Sequence, residues 1–207
     1  MHLQQKQSGF TLVEILIALM IFAVVVVVAL AALVKIVDAN KKSQTIQNAV
    51  VNMSFTMESL TRELRTGSTL YCSVLAPGTD LSVTSLSSQN VSQCSGVSGS
   101  SGNGVGFAFL SNTSGGSCRL IKAYEIVPNQ SAAGTFIFKK ASQTSCGGAL
   151  AFNPVIDTAA MTISSYYLAV SNVAYPLLFL KFDGVSGSKE SVKTTMTIQT
   201  AASSRLP

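Results

Sequence analysis

An apolar run from Phe10 to Val34, broken only by Thr11 and Glu14, constrains this 207-residue chain more than any other feature. A run of that length crosses a bilayer as one helix. Glu14 is out of place in it, because a carboxylate at mid-membrane costs about 2.5–3.5 kcal/mol on insertion scales. Past the run the composition changes, and residues 68–117 are rich in Ser, Gly and Thr. The chain therefore has room for one compact domain behind a long apolar appendage. Its net charge of +5 is scattered, with no dense Lys/Arg block after Phe10, so nucleic-acid binding is not indicated.

Three readings of the N-terminus compete. A secretory signal would use Lys6 as its charged start and Ala29-Leu30-Ala31 as its cleavage site, but the run is too long and holds Glu14. A plain membrane anchor is the second, with an orientation that charge counting leaves open: Lys6 lies on one side, and Lys35, Lys41 and Lys42 against Asp38 on the other. The third rests on order. A polar leader ends at Gly9, Phe10-Thr11-Leu12-Val13-Glu14 follows, and an apolar helix continues from there.

That order resembles the prepilin cleavage/methylation motif of type IV pilins and type II secretion pseudopilins. The resemblance implies that prepilin peptidase cuts between Gly9 and Phe10 and N-methylates Phe10 as the new terminus. It also implies that Glu14 acts as a register device in assembly. A carboxylate left unpaired in lipid is costly, and pairing with the terminal amine of a neighbouring subunit relieves that cost.

Beyond Lys35, Ile46, Val50, Met53, Met57, Leu60 and Leu64 recur at spacings of 4, 3, 4, 3 and 4, an apolar stripe on a helix. With no proline between Phe10 and Gly67, one helix of about 55 residues is expected, on the order of 80 Å long. Gly67, after Arg65, marks its stop. The stripe either forms a coiled coil with another chain or, as in the pilin family, packs on a sheet made by the rest of this one. Period-two patterning places strands at Asp80–Leu86, Val105–Leu110, Arg119–Val127, Thr135–Lys140, Met161–Val170, Leu177–Phe182 and Ser191–Thr200. The fold expected is α+β and pilin-like. It comprises a leader at residues 1–9, a transmembrane or filament-core helix at 10–34, its amphipathic continuation at 35–66, and a β-rich domain at 67–207.

Cys72, Cys94, Cys118 and Cys146 have no CxxC spacing, and the sole histidine is His2, so two disulfides in an oxidising compartment are favoured over zinc. Arg119–Val127 and Thr135–Lys140 read as a hairpin around residues 128–134. Cys118 and Cys146 lie nearly symmetric about that loop, which would leave Cys72 with Cys94. The other two pairings stay open.

The resemblance implies a structural subunit with no cofactor, a minor pilin or pseudopilin anchored in the cytoplasmic membrane with its C-terminal domain outside. Residues 57–65 look like the helix end of J-type minor pseudopilins and W-type minor pilins. Expected partners are prepilin peptidase, other pilins in a filament, the inner-membrane assembly platform and membrane lipids. A competence pilin for DNA uptake is the alternative of the same architecture. A membrane-tethered enzyme or ligand-binding domain is the alternative of another class. Loss of the leader removes the only histidine, and Asp80, Glu125, Asp157, Asp183 and Glu190 are isolated in sequence, so no acid–base pair is marked.

Overall fold

The structure is a computed structural model that describes residues 9–82, 94, 96–99, 103–111, 120–144, 149–157, 161–171, 176–187 and 193–203. The chain divides into two compact units between Lys41 and Lys42. A single helix, α1, runs from Leu12 to Thr66. Within the first unit its apolar side chains are exposed, from Leu12 at 75% to Val34 at 62%. This is the one described helix long and apolar enough to cross a membrane.

In the second unit α1 lies on an antiparallel sheet, burying Ala49, Met53, Thr56, Met57, Leu60 and Leu64. The stripe thus packs within its own chain, and its start differs from the sequence reading. Ile46 is only half-buried and Val50 is exposed, while Ala49 is buried. A small side chain is what a close helix–sheet approach admits at that turn. Thr56, buried on the same face, donates its hydroxyl to the Asn52 carbonyl at 2.8 Å, which removes the penalty of an unpaired polar group.

The strands are β1 (Gly67–Leu75), β2 (Val97–Ser98), β3 (Gly104–Ser111), β4 (Leu120–Pro128) and β5 (Phe136–Thr144). They continue with β6 (Asn153–Pro154), β7 (Thr162–Val170), β8 (Leu177–Ser186) and β9 (Thr194–Ser203). The sheet order is β1-β3-β4-β5-β7-β8-β9. Between β5 and β7 only Phe136 and Ile163 pair; β6 pairs with β5 and β2 with β7. Toward the helix the sheet presents an aromatic row. Tyr124 stacks on Phe107 at 5.4 Å and on Phe138 at 5.6 Å, and Phe138 meets Phe182 at 5.2 Å. On the opposite face Leu81 joins Leu75, Ala108, Ile121, Ala123, Val127 and Ala141 in a second, smaller core.

The short strands β2 and β6 were not expected from the sequence, and two longer segments also depart from that reading. Helix passes into strand without a loop, so β1 begins at Gly67, where the helix stop was expected but no strand. Gly67 is required by closeness, since a Cβ there would run into the Phe109 ring. A bulge between Ser68 and Leu70, with Thr69 at φ 53°, breaks the alternation that would have revealed the strand. The strand expected at Asp80–Leu86 is absent at residues 80–82, and the remainder falls outside the described residues. That segment is instead tied down by its backbone, as the Leu81 N–H donates to Glu125. Cys72 and Cys94 form a disulfide with Cα atoms 6.0 Å apart, fixing the chain beyond β1 to the core. Cys118 and Cys146 lie outside the described residues.

Candidate functional site

The helix that begins at Leu12 is capped by Thr11, the residue just before it. Its hydroxyl accepts the Glu14 N–H at 3.3 Å, and its carbonyl accepts the N–H groups of Glu14 and Ile15 at 3.1 and 3.3 Å. Thr-x-x-Glu is the order of a capping box, and Glu14 in the first turn sits where the helix dipole favours an anion. Gly9 and Phe10 precede the cap and are exposed, Phe10 at 78%. A shallow cavity of about 620 Å³ is lined by Phe10, Glu14, Ile15, Ala18, Leu19 and Phe22. Glu14 is the sole charge in that apolar lining. Among the described residues nothing lies within 4 Å of where a Cβ on Gly9 would be, so no described contact demands glycine there.

Two ionic clusters hold the second unit together, and the sequence reading found neither. Near the end of α1, Glu63 Oε1 lies 2.7 Å from Lys140 Nζ and 3.1 Å from Lys122 Nζ, and its Oε2 accepts the Tyr124 hydroxyl at 2.6 Å. Burial alone pushes Glu63 up, but the bonds from Lys140, Tyr124 and Lys122 together outweigh it and hold the carboxyl below its ordinary 4.5. Tyr124 is pushed up by burial and by the facing carboxylate.

On the other sheet face Glu125, fully buried, pairs with Lys139 at 3.0 Å and accepts the Leu81 N–H at 3.1 Å. Lys139 also reaches Asp80 at 3.4 Å. Here burial wins, and Glu125 is held above 4.5 despite the Leu81 and Lys139 contacts. Beside this cluster a cavity of about 320 Å³ is lined by Thr79, Asp80, Asn129, Gln130 and Lys139, among others. Its acid, Asp80, is matched by Lys139. Asp183 bonds the Thr197 and Ser165 hydroxyls at 2.6 and 2.9 Å. Among the described residues no three His, Cys, Asp or Glu side chains group as metal ligands.

The two glutamates oppose each other in pH dependence. The contribution of Glu63 is complete above 4.5 and is lost as pH falls through its lowered folded value. Glu125, with a raised folded value, takes up its proton in the folded state first, so acidification towards 4.5 favours the fold. Stability to urea is expected to rise from neutrality to a maximum near 4.5 and to fall below it. Glu125→Gln should flatten the upper limb and leave the acid limb, as read from urea midpoints between about pH 3 and 8.

Residues 4–30 match the family model of the prokaryotic N-terminal methylation motif. No curated protein and no solved structure matches the chain. The chain thus carries that motif ahead of a long apolar helix and an antiparallel sheet, an arrangement that supports the type IV pilin and pseudopilin resemblance.

Proposed function

We propose that this chain is a minor pilin or pseudopilin, held in the cytoplasmic membrane by residues 10–34 and carrying its β-rich domain, residues 67–207, outside. Prepilin peptidase cuts between Gly9 and Phe10 and methylates the new amine of Phe10. An assembly platform then extracts the subunit into a filament with other pilins. The observation that carries this reading is the methylation motif across residues 4–30. Two structural facts support it. The residues at the cut precede an exposed, capped helix start, and glycine at position 9 answers to no contact among the described residues, which fits its being read by a processing enzyme. The Cys72–Cys94 bridge supports an oxidising, extracytoplasmic setting. The β4–β5 register supports a second bridge, between Cys118 and Cys146, which lie outside the described residues. Leu120 faces Thr144, two residues short of each cysteine.

Mass analysis of the protein from cells with and without prepilin peptidase tests this. The expected first residue is methylated Phe10 with the enzyme and Met1 without it, and an unreduced digest should link residues 118 and 146. Met1 retained in the presence of peptidase, or a terminus at Ala32 left by signal cleavage, would overturn the processing.

A further inference from the structure

The two edges of the sheet are unlike. β1 is broken by the Ser68/Leu70 bulge with Thr69 in a left-handed conformation, a device that discourages edge pairing. β9 has no such device. It pairs with β8 through ten consecutive residues from Thr194 to Ser203 without a register shift, and no described strand pairs with its other edge. Its sequence, Thr-Thr-Met-Thr-Ile-Gln-Thr-Ala-Ala-Ser, contains no lysine, no other charge and no proline. A long, regular, uncharged edge is a template for an incoming strand.

The two faces of β9 define what that strand must be. Met196 and Ile198 are partly buried against the core and Ala202 is buried, whereas Thr195, Thr197, Gln199 and Ala201 are exposed. An incoming strand must alternate apolar and small polar side chains, carry no charge and be rich in residues that favour extension. β9 meets each requirement itself. Antiparallel pairing of β9 with its own copy sets same-face residues side by side, and no like-charge pair arises at any register.

We propose that β9 is the interface of a twofold dimer of this chain, in which two β9 strands pair antiparallel and join two sheets into one. The pairing does not depend on cleavage at Gly9. Confinement to a membrane raises the effective concentration of the two copies and favours it.

The test uses the full chain in detergent or in nanodiscs, with mass photometry and amide exchange across a dilution series. The wild type should dimerise, and its β9 amides should become more protected as dimer forms. Thr195→Lys/Gln199→Lys puts lysines on the exposed face of the edge and should weaken the dimer by roughly tenfold or more. Tyr167→Lys lies on the same face in β7, two strands inward, and should leave it unchanged. A wild type without concentration-dependent protection of β9 would overturn the proposal. So would a dimer equally strong in the double-lysine variant, which places the contact in the apolar helix, or one that Tyr167→Lys weakens as much, which indicates stacking of faces. Should the double variant fail to fold, the exchange of wild-type β9 amides decides alone.

Discussion

Glu63→Ala is expected to destabilise the second unit by about 2–3 kcal/mol and to lower its thermal midpoint by roughly 5–10 °C. The carboxylate is the shared anion of a partly buried cluster. Its side chain is 16% exposed, and those of Lys122 and Lys140 are 21% and 31% exposed. Alanine leaves two ammonium groups facing each other and strips the Tyr124 hydroxyl of its acceptor in a core where Tyr124 is 1% exposed. Removing one partner of a buried pair costs about 3–5 kcal/mol, and access to water at the lysines reduces that figure here. Glu63→Gln keeps an acceptor for Tyr124 and should cost about half as much. Glu58 is the control. It pairs with Arg62 at 3.1 Å on the same helix, but both side chains are 72% exposed, so Glu58→Ala should be nearly neutral. Thermal and urea unfolding followed by near-ultraviolet circular dichroism read all three. Equal losses for Glu63→Ala and Glu58→Ala would show that the cluster does not pin helix to sheet.

The long helix was legible because its signal is local: apolar residues without proline from Phe10 onward, then a stripe at spacings of 3 and 4. The hairpin of β4 and β5 was legible for the same reason. What escaped was the consequence of its register. The register that sets Leu120 against Thr144 also sets Glu125 against Lys139, so an acid isolated in sequence is paired in space. Glu63 was beyond reach, since its partners Lys122, Tyr124 and Lys140 lie on strands that only tertiary packing brings under the helix. β1 was lost to its bulge and to a Ser/Thr/Cys composition that hides which side faces inward. The motif around Gly9, Phe10 and Glu14 was readable because it lies in order along the chain; the fold adds that these residues are exposed and that Thr11 caps the helix behind Phe10.

Glu14→Leu is expected to leave membrane insertion and cleavage after Gly9 intact while lowering incorporation into filament by roughly a hundredfold. The magnitudes separate the two roles open to this carboxylate. As an anion in the first turn of a helix it contributes about 0.3–1 kcal/mol, and Thr11 keeps its cap without it, so loss of that role alone changes assembly by less than about fivefold. As the partner of a neighbour's terminal amine, it exchanges a lipid-exposed charge for a paired one. The cost relieved is about 2.5–3.5 kcal/mol, on the order of a hundredfold in the docked population. Leucine removes the charge and strengthens the apolar run, so insertion does not fall. Glu14→Gln keeps the size and a hydrogen-bonding group but not the charge, and should fail as leucine does if pairing with an ammonium is what counts. The ratio of sheared filament to membrane-retained subunit, with the N-terminus of the retained pool checked by mass, reads both effects. Filament content within about threefold of wild type in Glu14→Leu would reduce Glu14 to a helix-start residue.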